Sequence, residues 1–149
     1  MNNTKYDLST PVAQRIAASL SRQGMMNHLD AQLIRAEEGL VEVALPFSEK
    51  VTQQQGGFHG GAIGALGDIA GGYAALTVLP EGVEVVTAEY KINFLSGHQE
   101  GELQAVGKVV KGGKRIIVTT VEVFHLDPKG KKSLCAVMQQ TLVPVPQTY

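Results

Sequence analysis

The residues best suited to chemistry lie in the segment from Gly56 to Gly72. Glycine occupies eight of these seventeen positions, and Asp68 is the only acid in the stretch from Phe58 to Leu79. A carboxylate on an apolar helix must be paired or hydrated, or its pKa must move, and function is the commonest reason to keep one there. Asp68 is therefore a candidate general base or nucleophile. The alternative is an acid satisfied by neighbouring N–H groups or by solvent.

Small residues surround Asp68 on the expected helix. Gly64 and Gly72 lie four positions to either side of it on the same face, and Ala65 and Gly71 lie beside them. A glycine has no Cβ and lets other groups come close to the backbone. We expect these residues to leave room for a ligand to approach the carboxylate.

The start of the same helix offers donors for an oxygen atom. The first N–H groups of a helix have no intrahelical partner and carry the positive end of the helix dipole. Gly60 and Gly61 would leave these groups open to a carbonyl or phosphate oxygen, and such donors can stabilise an oxyanion. The alternative is that the glycines at 56, 57, 60 and 61 only form a tight turn.

The spacing between the donor and the acid limits how they could cooperate. Gly60 and Asp68 are eight residues apart, which is about 12 Å along a helix axis. A donor and a base that serve one reaction must both lie within about 3 Å of the reacting centre. One straight helix cannot achieve this, but two antiparallel copies across a two-fold axis can. If both groups are catalytic, the sequence predicts a homodimer with two sites at its interface.

The elements that would position these residues follow from the hydrophobic pattern. Ser9, Thr10 and Pro11 indicate a helix start, and Gly24 indicates its end. Alternating and β-branched patterns predict strands over 29–36, 40–46, 83–95, 102–111, 115–126 and 133–143, and a long apolar helix over 59–79. We therefore expect one α+β domain over 1–149, with residues 1–24 as a helical extension and an antiparallel sheet wrapped around the long helix.

Composition narrows the class of protein. A chain of 149 residues with a net charge of −1 fits one domain and indicates neither nucleic acid nor an anionic membrane as a partner. Asp68 near the centre of the apolar segment argues against a membrane span. One cysteine and no recognisable secretory signal favour a cytoplasmic location. The four histidines are scattered, so no metal site is expected.

The pattern of Gln53, His59-Gly60-Gly61 and Asp68, between a strand pair and a run of strands, resembles the hotdog-fold acyl-CoA thioesterases. The branch that it resembles most is that of the PaaI-type and bacterial aryl-CoA thioesterases, over about residues 26 to 145. The resemblance implies hydrolysis of an acyl-CoA to a free acid and coenzyme A. It leaves the acyl group open.

The resemblance also implies a role for each matching residue. Gly60 would polarise the thioester carbonyl through its N–H, and Asp68 would activate water or attack the thioester across the dimer interface. Gln53 would position water or substrate, His59 would shape the helix start, and Thr87 would lie near the water. Relatives carry Asn or Gln at the first position and Asp or Glu as the acid, so the pairing of Gln53 with Asp68 leaves the subgroup open.

A basic turn is a candidate site for the nucleotide of coenzyme A. Lys111, Lys114 and Arg115 could bind its phosphates, together with the N–H of Gly61, or the turn could simply be solvated. Coenzyme A would be part of the substrate, and no other cofactor is expected. The resemblance implies a homodimer or a dimer of dimers. The alternatives are a hotdog hydratase or dehydratase and an acyl-CoA-binding protein without catalytic activity.

Overall fold

The computed structural model describes residues 6–149, so the first five residues of the domain predicted over 1–149 lie outside it. Three helices and six strands follow one another within these described residues. The helices are α1 (Pro11–Leu20), α2 (Gly24–His28) and α3 (Gly60–Thr77), and a 3-10 turn spans Glu49–Val51. The strands are β1 (Gln32–Glu37), β2 (Leu40–Pro46), β3 (Val83–Phe94), β4 (Glu102–Lys111), β5 (Ile117–Leu126) and β6 (Lys132–Pro146).

The six strands form one antiparallel sheet in the order β1-β2-β4-β5-β6-β3. Helix α3 packs against this sheet and buries apolar side chains such as Leu66 and Leu76. In β4 and β5 the buried residues alternate, as the period of a strand with one covered face requires. The predicted α+β architecture, with an antiparallel sheet around a long helix, is confirmed.

Glycines on both sides of the helix–sheet contact make it close. A Cβ on Gly107 of β4 would lie 2.3 Å from the carbonyl oxygen of Ala70, and one on Gly67 would lie 2.9 Å from Cε of Met138. Gly71 also faces the sheet. The prediction that the small residues beside Asp68 leave room for a ligand was wrong for this glycine, because its space is taken by the sheet. It is correct for Gly72, which lines a cavity together with Asp68.

Helix α1 belongs to the same core as α3. Thr10 caps it by accepting a hydrogen bond from the N–H of Ala13 at 3.2 Å, and Pro11 occupies the first turn, as predicted. Ile16 is fully buried against the main cluster. Arg15 donates to the carbonyl oxygens of Leu79 at 2.8 Å and of other residues that follow α3. The helical extension predicted over 1–24 is thus tied to the end of α3 in the residues that the structure describes.

Several predicted boundaries differ from the observed ones. Helix α1 ends at Leu20, and Gly24 begins the short helix α2 instead of ending α1. Strand β1 starts at residue 32 and not 29, because α2 and its cap run through Leu29. Strand β6 continues to Pro146 because the long β3 pairs with it from Ala136 to that residue. Within residues 6–149, none of the helices combines the length and apolarity that a membrane crossing needs.

Candidate active site

Asp68 lies half-buried in the middle of α3, and two other elements hold its carboxylate. Its Oδ1 accepts a hydrogen bond from Oγ1 of Thr87 on β3 at 2.7 Å. The same oxygen accepts a short hydrogen bond from Nε2 of Gln140 on β6. The structure thus brings together Asp68 and Thr87, two of the predicted site residues, and adds Gln140 to them.

An irregularity in β3 makes this arrangement possible. The register between β3 and β6 shifts between Thr87 and Glu89, which is a β-bulge. Strict alternation would place residues 87 and 90 on opposite faces of the strand. With the bulge, Thr87 bonds Asp68, and the hydroxyl of Tyr90 lies 3.3 Å from the place of a Cβ on Gly64 of α3. Both side chains therefore face the helix.

Gln140 and its neighbour Thr119 are functional candidates that the sequence reasoning missed. Both are fully buried, and Thr119 Oγ1 donates to Gln140 Oε1 at 3.0 Å. One sequence signal could have found Gln140. It occupies the buried position between Met138 and Leu142 in the alternating pattern of β6, where an apolar residue is the rule.

A cavity of about 450 Å³ opens beside Asp68. Thr87, Gly72 and Tyr73 line one part of it, and the end of α1 lines another part through Ser19 and the following Arg22 and Gln23. Tyr73 donates to Ser19 Oγ at 3.0 Å and accepts from Gln23 Nε2 at 2.7 Å. Burial raises the pKa of Tyr73, so its hydroxyl remains protonated at neutral pH. The Tyr73 hydroxyl is thus an uncharged hydrogen-bonding group in the wall of this cavity, which Arg22 also lines.

The start of α3 presents one open donor. His59 is the N-cap, and its Nδ1 accepts a hydrogen bond from the N–H of Gly61 at 2.7 Å. The N–H of Gly60 donates to no group within residues 6–149. Of the two N–H groups predicted to be open to a ligand, only that of Gly60 is therefore free. Ligand binding by the Gly61 N–H would require His59 to release it.

Gln53 and Gly60 line a second cavity, of about 360 Å³, together with Phe58 and Phe94. The end of the Phe94 ring lies 3.2 Å from the place of a Cβ on Gly60. Asp68 lines the first cavity and not this one. One chain therefore contains two half-sites: the donor half-site, with Gly60 and Gln53, and the acid half-site, with Asp68 and Thr87.

The basic turn lies apart from both half-sites. Lys111, Lys114 and Arg115 are exposed and surround a surface cavity of about 240 Å³ between β4 and β5. The adjoining Gly112 lies near Val78, at the carboxyl end of α3. Val78 follows Asp68 by ten residues, or about 15 Å of helix. The turn is thus positioned to contact a ligand that extends well away from Asp68.

No metal centre is apparent in the described part of the chain. Within residues 6–149, no three His, Cys, Asp or Glu side chains gather as a metal site would require. The contacts of Asp68 are those of a hydrogen-bonded acid beside a cavity.

Comparison with known proteins identifies the family. The family model of the thioesterase superfamily matches residues 55–131, which include His59, Gly60, Asp68 and Thr87. The chain belongs to the thioesterase superfamily. A protein of Saccharolobus solfataricus named "Putative esterase" is 40% identical over 107 residues, which are 71% of this chain and 76% of that protein. Membership identifies the protein as a hydrolase of thioester or ester bonds.

Solved structures agree with this assignment. A thioesterase family protein from Silicibacter pomeroyi is 33% identical, with a TM-score of 0.86 over 91% of this chain and 99% of that chain. The E. coli PaaI protein, from the phenylacetic acid degradation operon, is 22% identical, with a TM-score of 0.81 over 95% of this chain and 99% of its own. At that identity the likeness shows the fold alone. The predicted hotdog fold and the resemblance to hotdog thioesterases are confirmed.

Proposed function

We propose that this thioesterase superfamily member hydrolyses an acyl-CoA to a free carboxylic acid and coenzyme A, with Asp68 as general base or nucleophile. The observation that carries the proposal is the Asp68 carboxylate, which lines a 450 Å³ cavity while Oδ1 accepts hydrogen bonds from Thr87 and Gln140. A half-buried acid fixed beside an open cavity is the arrangement that a general base or a nucleophile needs.

The reaction needs only a base and an oxyanion donor. Water adds to the thioester carbonyl carbon while the carboxylate takes its proton, or the carboxylate itself adds and water then hydrolyses the anhydride. The carbonyl oxygen carries the negative charge and accepts the hydrogen bond of the Gly60 N–H. When the carbonyl reforms, the carbon–sulfur bond breaks and coenzyme A leaves as the thiolate, which takes up a proton.

A homodimer would bring the two half-sites together. Gly60 and Asp68 line different cavities of one chain, in agreement with the separation of about 12 Å along the helix. Strand β3 is an edge of the sheet, and its residues Tyr90 and Phe94, which lie over the glycines of α3, are 42% and 53% exposed. A partner chain that covers β3 would bury these rings and would bring its Gly60 near Asp68.

Residues outside the Asp68 cavity would contact other parts of the substrate. Gln53 shares the cavity of Gly60 and would position water or substrate there. Lys111, Lys114 and Arg115 would contact the phosphates of coenzyme A, which enters as part of the substrate. A further association into a dimer of dimers and a cytoplasmic location remain predictions.

A hydrolysis panel with a matched pair of variants tests the proposal. Short, long, aryl and hydroxylated acyl-CoAs are offered to the protein, and the released thiol is measured. We expect hydrolysis of at least one class, and a loss of about 10²- to 10⁴-fold in kcat for Asp68→Asn because the amide can neither accept the proton nor attack. Glu38→Gln, which neutralises an exposed acid in the β1–β2 turn, is the control.

Two outcomes would contradict the proposal. Wild-type kcat in folded Asp68→Asn would exclude Asp68 as the reacting acid. Binding of coenzyme A thioesters without thiol release across the panel would favour a binding protein instead. Light scattering on the same samples tests the oligomer, because a strictly monomeric active species would exclude a site shared between chains.

A further inference from the structure

We infer that Gln140, held by Thr119, is a positioning residue that orients Asp68 so that Oδ2 is the reacting oxygen. The inference rests on the proposed role of Asp68 and adds to it. Neither residue is part of the motif of Gln53, His59-Gly60-Gly61 and Asp68, and the two come from β6 and β5, far from α3 in sequence. What unites them is one chain of hydrogen bonds that ends on the carboxylate.

The contacts of Gln140 leave its side chain little freedom. Its Nε2 donates to Oδ1 of Asp68, lies 3.3 Å from the Asp68 carbonyl oxygen, and lies 3.1 Å from Oγ1 of Thr87. Its Oε1 accepts from Thr119 at 3.0 Å. Because Gln140 and Thr119 are fully buried, water does not compete for these bonds.

The chemistry of the partners fixes which end of the amide faces Asp68. An ionised carboxylate can only accept, so it must receive the NH₂ group of Gln140. The Thr119 hydroxyl faces the opposite end, where it donates to the carbonyl oxygen. Without that donor the amide could turn over and present an oxygen to the carboxylate, which would repel it. Thr119 therefore acts on Asp68 through the orientation of Gln140.

Gly71 provides the space for this chain of bonds. A Cβ at residue 71 would lie 2.0 Å from Gln140 Oε1 and 2.7 Å from Thr119 Oγ1. Any side chain there would displace both groups. Gly71, three residues after Asp68, thus leaves room for the Gln140 amide that binds the Asp68 carboxylate. This gives a physical reason for a glycine at a helical position, where glycine is otherwise unfavourable.

The consequence for the reaction concerns the two carboxylate oxygens. Oδ1 accepts from both Thr87 and Gln140, whereas Oδ2 has no hydrogen-bond partner among the described residues. An oxygen with two strong donors is a weaker base and nucleophile than one with none. With the carboxylate locked in this way, Oδ2 is the oxygen that takes the proton or attacks.

Gln140→Met tests the positioning role with little change in volume. Methionine keeps an unbranched chain but has no N–H to donate. We expect kcat to fall by about tenfold to a hundredfold, because a hydrogen bond to a charged group is lost, while KM changes little. Gln139→Met, which alters the exposed neighbour on the other face of β6, is the matched control and should retain wild-type kcat. Wild-type kcat in folded Gln140→Met would overturn the inference.

Variants of Thr119 test whether it acts through the amide. Thr119→Val removes the hydroxyl and keeps the shape, so the Gln140 amide loses its orienting donor. We expect a smaller fall in kcat than in Gln140→Met, and Thr119→Ser should recover most of it because the hydroxyl returns. Equal kcat values for the valine and serine variants, both below wild type, would indicate packing instead and would contradict the role given to Thr119.

Gln140→Glu adds a pH signature that a packing role would not produce. The new carboxylate and Asp68 would share a proton, and the protonated glutamate can donate to Oδ1 again. We expect the kcat ratio of Gln140→Glu to wild type to rise as the pH is lowered, and that of Gln140→Met not to rise. Arg22, Tyr73, Glu84 and Tyr149, the other titratable groups around the Asp68 cavity, are the same in both variants. A ratio that does not rise would contradict the inference.

A crystal structure of Gln140→Met separates this inference from the proposed function. We expect the Asp68 side chain to leave the Thr87 contact or to adopt more than one rotamer, whether or not the protein hydrolyses acyl-CoA. An Asp68 side chain unchanged in one rotamer would overturn the inference. Failure of the wild-type protein to hydrolyse any thioester would overturn the proposed function. The orientation of Asp68 in the crystal structure would still test the positioning role of Gln140.

Discussion

The start and the middle of α3 each carry one candidate catalytic group, and the protein holds the two groups in different ways. At the start, the donor is the backbone N–H of Gly60, and the side chain of its neighbour His59 caps the helix. In the middle, the carboxylate of Asp68 depends on Thr87 and Gln140, which come from β3 and β6. One group is fixed by local structure and the other by the tertiary fold.

The chemistry of the two groups explains the difference. A backbone N–H has no side-chain rotation, so the helix itself sets its direction. A carboxylate turns about two bonds and holds one orientation only when partners bind it. The donor half-site can therefore remain open and half-exposed. The acid half-site needs buried hydrogen-bonding partners in the sheet, namely Gln140 and Thr119.

Removing the Gly60 N–H alone should have the largest effect on the donor half-site. Proline suits the first position of a helix, and His59 at φ −69 and ψ 134 suits the residue before a proline. We expect Gly60→Pro to lower kcat by about 10²- to 10³-fold, as loss of one oxyanion donor does. Gly60→Ala also places a Cβ against the Phe94 ring but keeps the N–H. Its kcat therefore measures the effect of crowding by Phe94 alone.

A Gly60→Pro variant that is as active as Gly60→Ala in the thiol-release assay would remove the donor from the mechanism. The two half-sites would then not be parts of one active site, and the acid half-site alone would carry the reaction.

A smaller effect, about twofold, tests whether the half-sites belong to different chains. Subunits with Asp68→Asn and subunits with Gly60→Pro are co-expressed with different tags, and the mixed dimers are purified through both. Each mixed dimer would contain one site with both groups intact and one with neither, so we expect about half of the wild-type activity. If each site lies within one chain, the mixed dimers are inactive, and that result would exclude an active site shared between chains.

The smallest effect concerns the loop that leads to the donor half-site. The carbonyl oxygen of His98 accepts a hydrogen bond from the N–H of Phe58 at 2.9 Å. The imidazole ring of His98 stacks on that of His125, with the ring centroids 3.7 Å apart. Burial, with a smaller contribution from His125, lowers the pKa of His98 below its ordinary value of 6.5. The unfolded chain therefore binds more protons just below pH 6.5, so the folded protein loses stability as the pH falls through that range.

Urea unfolding between about pH 5 and 8 measures this dependence. His98→Gln should flatten the fall in stability at low pH, and His28→Gln, at an exposed position on α2, is the surface control. An unchanged slope in His98→Gln would mean that other groups cause the acid sensitivity.

The hydrophobic pattern was sufficient for the six strands and for helices α1 and α3, but not for the short helix α2 or for the arrangement of the strands. Alternation predicted β4, β-branched residues predicted β5, and an apolar run too long for a strand predicted α3, each to within a few residues, because all three are local properties of the chain. The order of the strands in the sheet could not be predicted from this pattern. Strand β3 pairs with β6 and not with β2, and that choice depends on which distant surfaces bury one another.

The same limit applies within the site. The bulge that places Thr87 on the helix side of β3 leaves no clear mark in the sequence, and Gly71 gave no sign that it faces the sheet. Gln140 did leave a sign, as a polar residue at a buried position of β6, but only the fold shows that its amide meets Asp68.

The sequence by itself determined the kinds of groups available and their distance along the helix. An acid, an open helix start and a separation of about 12 Å follow from residue types and from helix geometry alone. The tertiary structure decided which neighbours hold the acid, which glycines serve packing, and that donor and acid line separate cavities. Hydrogen bonds and close packing join residues far apart in the chain, and no local pattern records those contacts.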